Sequence, residues 1–321
     1  MRAPLLLLLS IFGLFRPALS AGTRQRQCLI KALDAYVHAL VEHQPSAVDL
    51  GKESSSVENL QPIKPGEGLW KTVTAGPTPF RIVVPDPVSQ SVGAIVMLHE
   101  GREPIEVAIR LQLRDGQIMR ADHLVARGLS AANLQHLVTP RPPLLATVPS
   151  GDRMSRNDLL GVAAAYYRAV EGADGSLAPF AADCVRRESG WQSTSNPPLK
   201  APPTVEPGKP MHRDQAFLIL GTYGCAAQLD TGIFANISGI GDRRIDIADP
   251  ETGLVFAFSH FYHEFKQRIF KLHGVPGVDA VDWDLDAFDL YAAHILKIAG
   301  GRIHEIEATG AVAPYNSPTV W

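Results

Sequence analysis

Three cysteines in 321 residues are too few for a disulfide-built scaffold. None is spaced Cys-x-x-Cys, which removes the common zinc-ribbon and dithiol redox patterns. There is no glycine-rich phosphate loop and no Gly-x-Ser-x-Gly elbow, so nothing marks nucleotide or serine-hydrolase chemistry. Basic residues do not gather into a stripe and the formal net charge is −3, a balance that repels phosphate and argues against a nucleic-acid partner. Beyond the first twenty residues no apolar run is long enough to span a bilayer. What is present is an ordinary globular composition, 45% hydrophobic and 20% charged, in a chain long enough for two cores.

The N terminus is the exception. Arg2, the apolar run Leu5–Leu9 with Ile11–Phe15, and the small residues around Ala18-Leu19-Ser20 predict a secretory signal peptide over residues 1–20. Arg16 and Pro17 interrupt the run, so a membrane anchor fits less well, and the cleaved chain is expected to be secreted with no membrane contact. Export makes cysteine informative, because an oxidising compartment permits disulfides. Cys184 and Cys225 fall in one half of the chain, where a bridge would contribute about 3–4 kcal/mol through loop closure. The alternative is three buried thiols. Asn236-Ile237-Ser238 is a glycosylation sequon, usable if exposed.

Leu29, Ala32, Leu33, Tyr36, Val37, Leu40 and Val41 follow the spacing of an amphipathic helix. From residue 80 the period changes to two: 80–84, 92–99, 106–113 and 118–125 read as strands, with Asp115-Gly116 as a hairpin signal. Residues 127–154, with Pro140, Pro142, Pro143 and Pro149, read as a linker. Then the beginning repeats. Tyr36 and Tyr166, Ala39 and Ala169, Ser46 and Ser176, and Glu58 and Glu188 match at a constant offset of 130 residues, which predicts a duplicated domain, 26–126 and 155–321. In the second copy, 159–170 reads as helix, 183–191 as strand, the proline-rich 196–210 as loop, 216–237 as one long helix, and 243–247, 254–262, 287–298 and 303–308 as strands.

Helix, helix, short strand, helix, then antiparallel strands resembles the cystatin-like cone of the nuclear transport factor two, ketosteroid isomerase and SnoaL-like superfamily. The resemblance implies an α+β fold of two tandem cones, each a curved antiparallel sheet wrapped on helices around an apolar pocket. More specifically, Cys184-x-Arg186-x-Glu188 with Gly190, Cys225-Ala226-Ala227-Gln228, and Arg243-Arg244 before an acidic turn resemble a secreted two-domain family of unknown function in fungi and bacteria.

Residues two apart on a strand share a face, so Cys184, Arg186 and Glu188 point one way. A carboxylate and guanidinium in an apolar cavity form either an acid–base pair or a purely structural ion pair. The first copy carries Ser54, Ser56 and Glu58 at the matching positions, which directs attention to the second copy and marks the first as degenerate. Phe256, Phe258, His260 and Tyr262 share a face of their strand. That bulky face is expected to line the cone, with His260 and Tyr262 assisting Glu188; the alternative for His260 is a satisfied core histidine. His260 and His263 lie on opposite faces and do not share a metal. Asp282, Asp284 and Asp286 alternate like a calcium loop but lack its glycine and closing glutamate, and read as an acidic loop and helix cap. Gln228 and Asp230, on the long helix beside Cys225, are within reach of the pocket mouth, but polar residues on a helix are more often solvated. The expectation is a cofactor-independent secreted enzyme, using Glu188, Arg186, His260 and Tyr262 to isomerise, cyclise or eliminate on a small apolar molecule, in the manner of secondary metabolism. The competing expectation is a non-catalytic binding protein, or a homodimer formed through the sheet face.

Overall fold

The computed structural model describes residues 21–319, so the signal-peptide reading lies outside the described residues. The first half contains α1 (Ala21–Val41), β1 (Leu50–Glu58), β2 (Gln61–Ile63), α2 (Leu69–Thr72), β3 (Arg81–Asp86), β4 (Ser91–Glu100), β5 (Glu103–Arg114) and β6 (Gln117–Ala126). A connecting segment carries α3 (Ala131–Leu134) and α4 (Pro142–Leu145). The second half contains α5 (Arg156–Gly172), β7 (Phe180–Glu188), β8 (Trp191–Gln192), β9 (Met211–His212), α6 (Arg213–Leu220), α7 (Cys225–Asp230), β10 (Gly239–Asp249), β11 (Leu254–His263), β12 (Ile269–Lys271), β13 (Ala280–Asp282), β14 (Phe288–Ala299) and β15 (Arg302–Pro314).

The fold is α+β, with two curved mixed sheets of six strands. Their strand orders, β2-β1-β6-β5-β4-β3 and β8-β7-β15-β14-β11-β10, are the same path traced twice. In each, the first long strand pairs parallel with the last (β1 with β6, β7 with β15) and the other pairings are antiparallel. One helix lies in each concave face: Leu29, Leu33, Tyr36, Val37 and Leu40 of α1 are buried at three-and-four spacing, as are Leu159, Ala163, Tyr166, Tyr167 and Val170 of α5. Ser155 caps α5 by accepting from the Asp158 amide. Both terminal hairpins turn through two residues of positive φ, Asp115-Gly116 and Gly300-Gly301, as a tight twisted hairpin requires. The 130-residue offset holds in space, since β1 and β7, and the starts of β2 and β8, are each 130 residues apart.

The convex faces of the two sheets pack on each other. Ile82, Val84, Ile95 and Met97 from the first half form one core with Ile247, Phe256, Phe258 and Ile295 from the second. At Gly93 a Cβ would lie 2.3 Å from the Phe256 ring, so glycine permits this close approach. The ends of the interface are tied reciprocally. Arg26 of α1 pairs with Asp249 at the end of β10, and Arg156 of α5 pairs with Asp86 at the end of β3, both at 2.7 Å. The convex face of each sheet is therefore covered within one chain. The connecting segment is also built in: Leu137, Leu144 and Val148 are buried, and Arg141 pairs with Glu305 and Glu307.

The second half differs by two insertions, residues 193–238 and 264–287, where the first half has only 64–80 and a two-residue turn. They form a small layer with its own three-stranded sheet, β12-β13-β9, and its own core of Met211, Leu220, Phe270, Val281 and Trp283. The long helix expected over 216–237 is two short ones. α6 ends at Leu220, a turn through Gly221–Gly224 interrupts the helix, and α7 ends before the turns at 231–236. Glycine at both ends of the turn, with Cys225 fixed by its disulfide, makes a continuous helix unfavourable. No helix follows the acidic loop either: Asp282 ends β13 and pairs with Arg268.

Candidate active site

β7 carries the centre of the site. Cys184 is bonded to Cys225 at the start of α7, which fixes α7 against the strand and brings Gln228 to Arg186. Arg186 is almost fully buried. Its Nε lies 2.9 Å from Ser193 Oγ and 2.8 Å from Glu188 Oε1, a second guanidinium nitrogen donates to Gln228 Oε1, and its Cζ lies 4.7 Å from the centre of the Phe234 ring. Ser193 Oγ also donates to Glu188 Oε1 at 2.8 Å. Gln228 is thus buried, holding Arg186 and donating to the Ser193 and Leu220 carbonyls; it is not the solvated helix residue its spacing suggested.

Arg186 and Glu188 line a cavity of about 240 Å³ between the concave face of the second sheet, α5 and the inserted layer. Seven Phe, Tyr and Trp side chains stand in its walls: Tyr166, Phe261 and Phe288 from the cone, Trp191 from β8, and Phe217, Phe234 and Trp283 from the layer. Trp191, Phe217 and Trp283 meet edge to face, with centroids 5.0 and 5.2 Å apart, and close the mouth.

Two histidines line the cavity. Burial pushes His294 down to about 3, with Arg186 adding to the effect, and its Nδ1 lies 3.1 Å from the Tyr167 hydroxyl. Burial pushes His263 down to about 4, with the Phe261 backbone opposing, and its ring stacks on Phe288 with centroids 4.2 Å apart. Both imidazoles are neutral at neutral pH. Burial also raises Tyr166 to about 12, so its phenol stays protonated.

Of the four residues expected to act together, the structure brings two to the cavity. His260 and Tyr262 lie on the other face of β11, because the concave face of that strand carries Val255, Ala257, Phe261 and His263. The bulky face covers the other domain, which a single-cone reading does not anticipate. There His260 lies between Tyr262 and Tyr291 and near two carboxylates, Asp289 at 3.1 Å and Asp242 at 3.5 Å. Asn236 is 4% exposed and lines the cavity, so its amide is closed to a glycan. His294 and Tyr166 escape a reading of the sequence because each sits within an apolar run that reads only as core, and His263 stands out there only as half of a histidine pair. Among the described residues no cluster of three or more His, Cys, Asp or Glu side chains could hold a metal ion.

Residues 152–310, nearly all of the second half, match the family model "Domain of unknown function (DUF8021)". No curated protein matches the chain. Among solved structures, a candidate ketosteroid isomerase from Kribbella flavida DSM 17836 is 16% identical, covering 37% of this chain and 93% of its own, at a TM-score of 0.25. An LEH-like epoxide hydrolase from M. tuberculosis is 16% identical, covering 32% and 85%, at 0.24. An NTF-2 like protein of unknown function from Burkholderia xenovorans LB400 is 12% identical, covering 36% and 97%, at 0.27.

Proposed function

We propose that the second half is a cofactor-independent acid–base catalyst for a small, mostly apolar organic molecule, and that the chain acts after export. The observation that carries this reading is the Arg186–Glu188 pair at the wall of a cavity lined largely by aromatic and aliphatic side chains. A carboxylate in such a place exchanges a proton with a bound C–H or O–H, and the neighbouring guanidinium offsets negative charge that develops on the substrate. His294 and Tyr166 are uncharged partners for proton movement, in the roles that the sequence assigns to His260 and Tyr262. Isomerisation, cyclisation and elimination all fit, and secondary metabolism is a natural setting. The Cys184–Cys225 disulfide supports export, since such bonds persist in oxidising compartments.

A second reading, a non-catalytic binding protein, is favoured by one detail: Glu188 Oε1 is already engaged by Ser193 and Arg186, as in a structural clamp. The two separate in one experiment. The mature protein and its Glu188→Gln variant are incubated with an extract of the producing organism and metabolites are compared by mass spectrometry. A compound consumed by the wild type and spared by the variant is expected; a compound retained unchanged by both would replace catalysis with binding.

A further inference from the structure

The polar groups around the cavity divide by how much hydrogen-bonding capacity they have spent. Arg186 and Glu188 satisfy each other together with Ser193 and Gln228. Asn236 and His263 do not. The Asn236 Oδ1 is buried without a hydrogen-bond partner, and the His263 Nδ1 approaches the Phe261 backbone without completing a bond. Both residues are at least nine-tenths buried and both line the cavity. They also belong to one wall, since the amide and hydroxyl of Ser238 donate to the Tyr262 carbonyl, which runs the segment bearing Asn236 alongside the end of β11 bearing His263.

A buried polar group without a partner is costly, so two such side chains on one wall mark the place where a bound molecule supplies the missing partners. The chemistry of that molecule follows from the donors and acceptors. A carboxamide offers both, and a neutral imidazole offers one of each. The fitting group both gives and takes a hydrogen bond and carries no charge, because the cavity's charged pair is internally compensated and most of its other lining is apolar.

We infer that Asn236 and His263 form the recognition subsite for an uncharged hydroxyl group, alcohol or phenol, on a compact apolar skeleton. The inference rests on the cavity being the ligand site, as proposed above, but not on catalysis there. Arg186 and Glu188 act on the skeleton or its reacting bond, while Asn236 and His263 orient it through the hydroxyl.

The test is direct binding at pH 7, by calorimetry, of three probes sharing one skeleton: 2-naphthol, naphthalene and 2-naphthoate. Wild type is expected to prefer 2-naphthol to naphthalene by about thirtyfold, the worth of two net hydrogen bonds at about 1 kcal/mol each. 2-Naphthoate is expected to bind more weakly than 2-naphthol. Asn236→Leu and His263→Phe should each remove most of the preference while leaving naphthalene within about twofold, which also shows that the variants fold. Equal binding of the two neutral probes, binding of neither, a preference for the anion, or a preference surviving in both variants overturns the inference. Turnover plays no part in the measurement. A protein that discriminates the probes but leaves every metabolite unchanged sinks the catalytic reading alone; one that consumes a metabolite but ignores the hydroxyl sinks this one alone.

Discussion

The two halves follow one path, yet one is filled and the other is hollow. In the first, Trp70 of α2 packs edge to face on Tyr36 with centroids 5.2 Å apart, and the Tyr36 hydroxyl lies 3.0 Å from His123 Nε2. Glu58, the counterpart of Glu188, receives the Leu69 amide at 2.8 Å and lies near His123 and Arg127. Burial pushes the Glu58 carboxyl up, but these partners prevail and hold it below its usual value. In the second, Tyr166 and Glu188 face open space, because the segment that would fill it has grown into a separate layer and stands over the mouth. A short loop plugs a cone; a long one with its own core roofs it. The matching carboxylate is a structural hub in one copy and a candidate reactive group in the other, through the partners supplied by the loop.

The largest effect follows from the plug. Trp70→Ala should destabilise the protein by about 3–5 kcal/mol, since a buried indole is replaced by a void that the sheet cannot fill. Phe217→Ala, at the roof of the hollow half, removes a ring that is only partly buried and should cost visibly less in the same urea titration. Equal costs would mean that the roof is as integral to the fold as the plug, and that the contrast is one of shape only.

The comparison was partly legible in the sequence. Tyr36 with Tyr166 and Glu58 with Glu188 carried the duplication, because strands β1 and β7 keep their length and a constant offset survives. Arg186 and Glu188 were found because alternation on a strand is a local rule. His260 and Tyr262 were misplaced because alternation says which residues share a face but not which face is inside. Both faces of β11 are buried, one by α5 and one by the other domain, so its run from Leu254 to Phe261 offers no polar side to orient it. Asn236 and Gln228 were misread for a related reason. Their burial depends on the disulfide and on a layer assembled from two distant insertions, neither visible as a period.

A second contrast lies between the sheets. Asp122 on β6 and Glu307 on β15 occupy matching strands of the interface. Asp122 is held by Arg110, Arg120 and Arg244. Glu307 has Arg141 at 3.1 Å and faces Glu106 from the other half. The oxygens of Glu106 approach Ser189 and Thr309 without completing hydrogen bonds. Burial, then repulsion from Glu307, raises Glu106 to about 8; burial raises Glu307 to about 7 despite Arg141 and Arg187. The folded state therefore holds protons that the unfolded chain releases near pH 4–5, so stability falls as pH rises from about 5 to about 8. Glu106→Gln should remove most of that fall, by a few kcal/mol over the interval, and urea midpoints at pH 5 and pH 8 measure it. If wild type and variant keep parallel pH profiles, Glu106 is ionised in the folded protein and the interface tolerates the charge.

The smallest effect probes whether the likeness of the halves is energetic as well as geometric. Arg26 and Arg156 are 130 residues apart and each reaches across to the aspartate that ends the other half's edge strand. Asp249 and Asp86 are nearly fully buried, so removing either arginine strands a carboxylate, though not without partners. Thr252 Oγ1 and the Glu251 amide remain on Asp249, and the amides of Val88, Ser89 and Ala248 remain on Asp86. With those partners in place, Arg26→Met and Arg156→Met should each cost about 1–2 kcal/mol. A true pseudo-two-fold interface makes the two costs alike and keeps a single unfolding transition, because both pairs close the same sheet-on-sheet core. If Arg156→Met were costly and Arg26→Met silent, the second half would fold on its own and the first would only lean on it; calorimetry of the Arg26→Met variant would then show two transitions, with the filled half melting first.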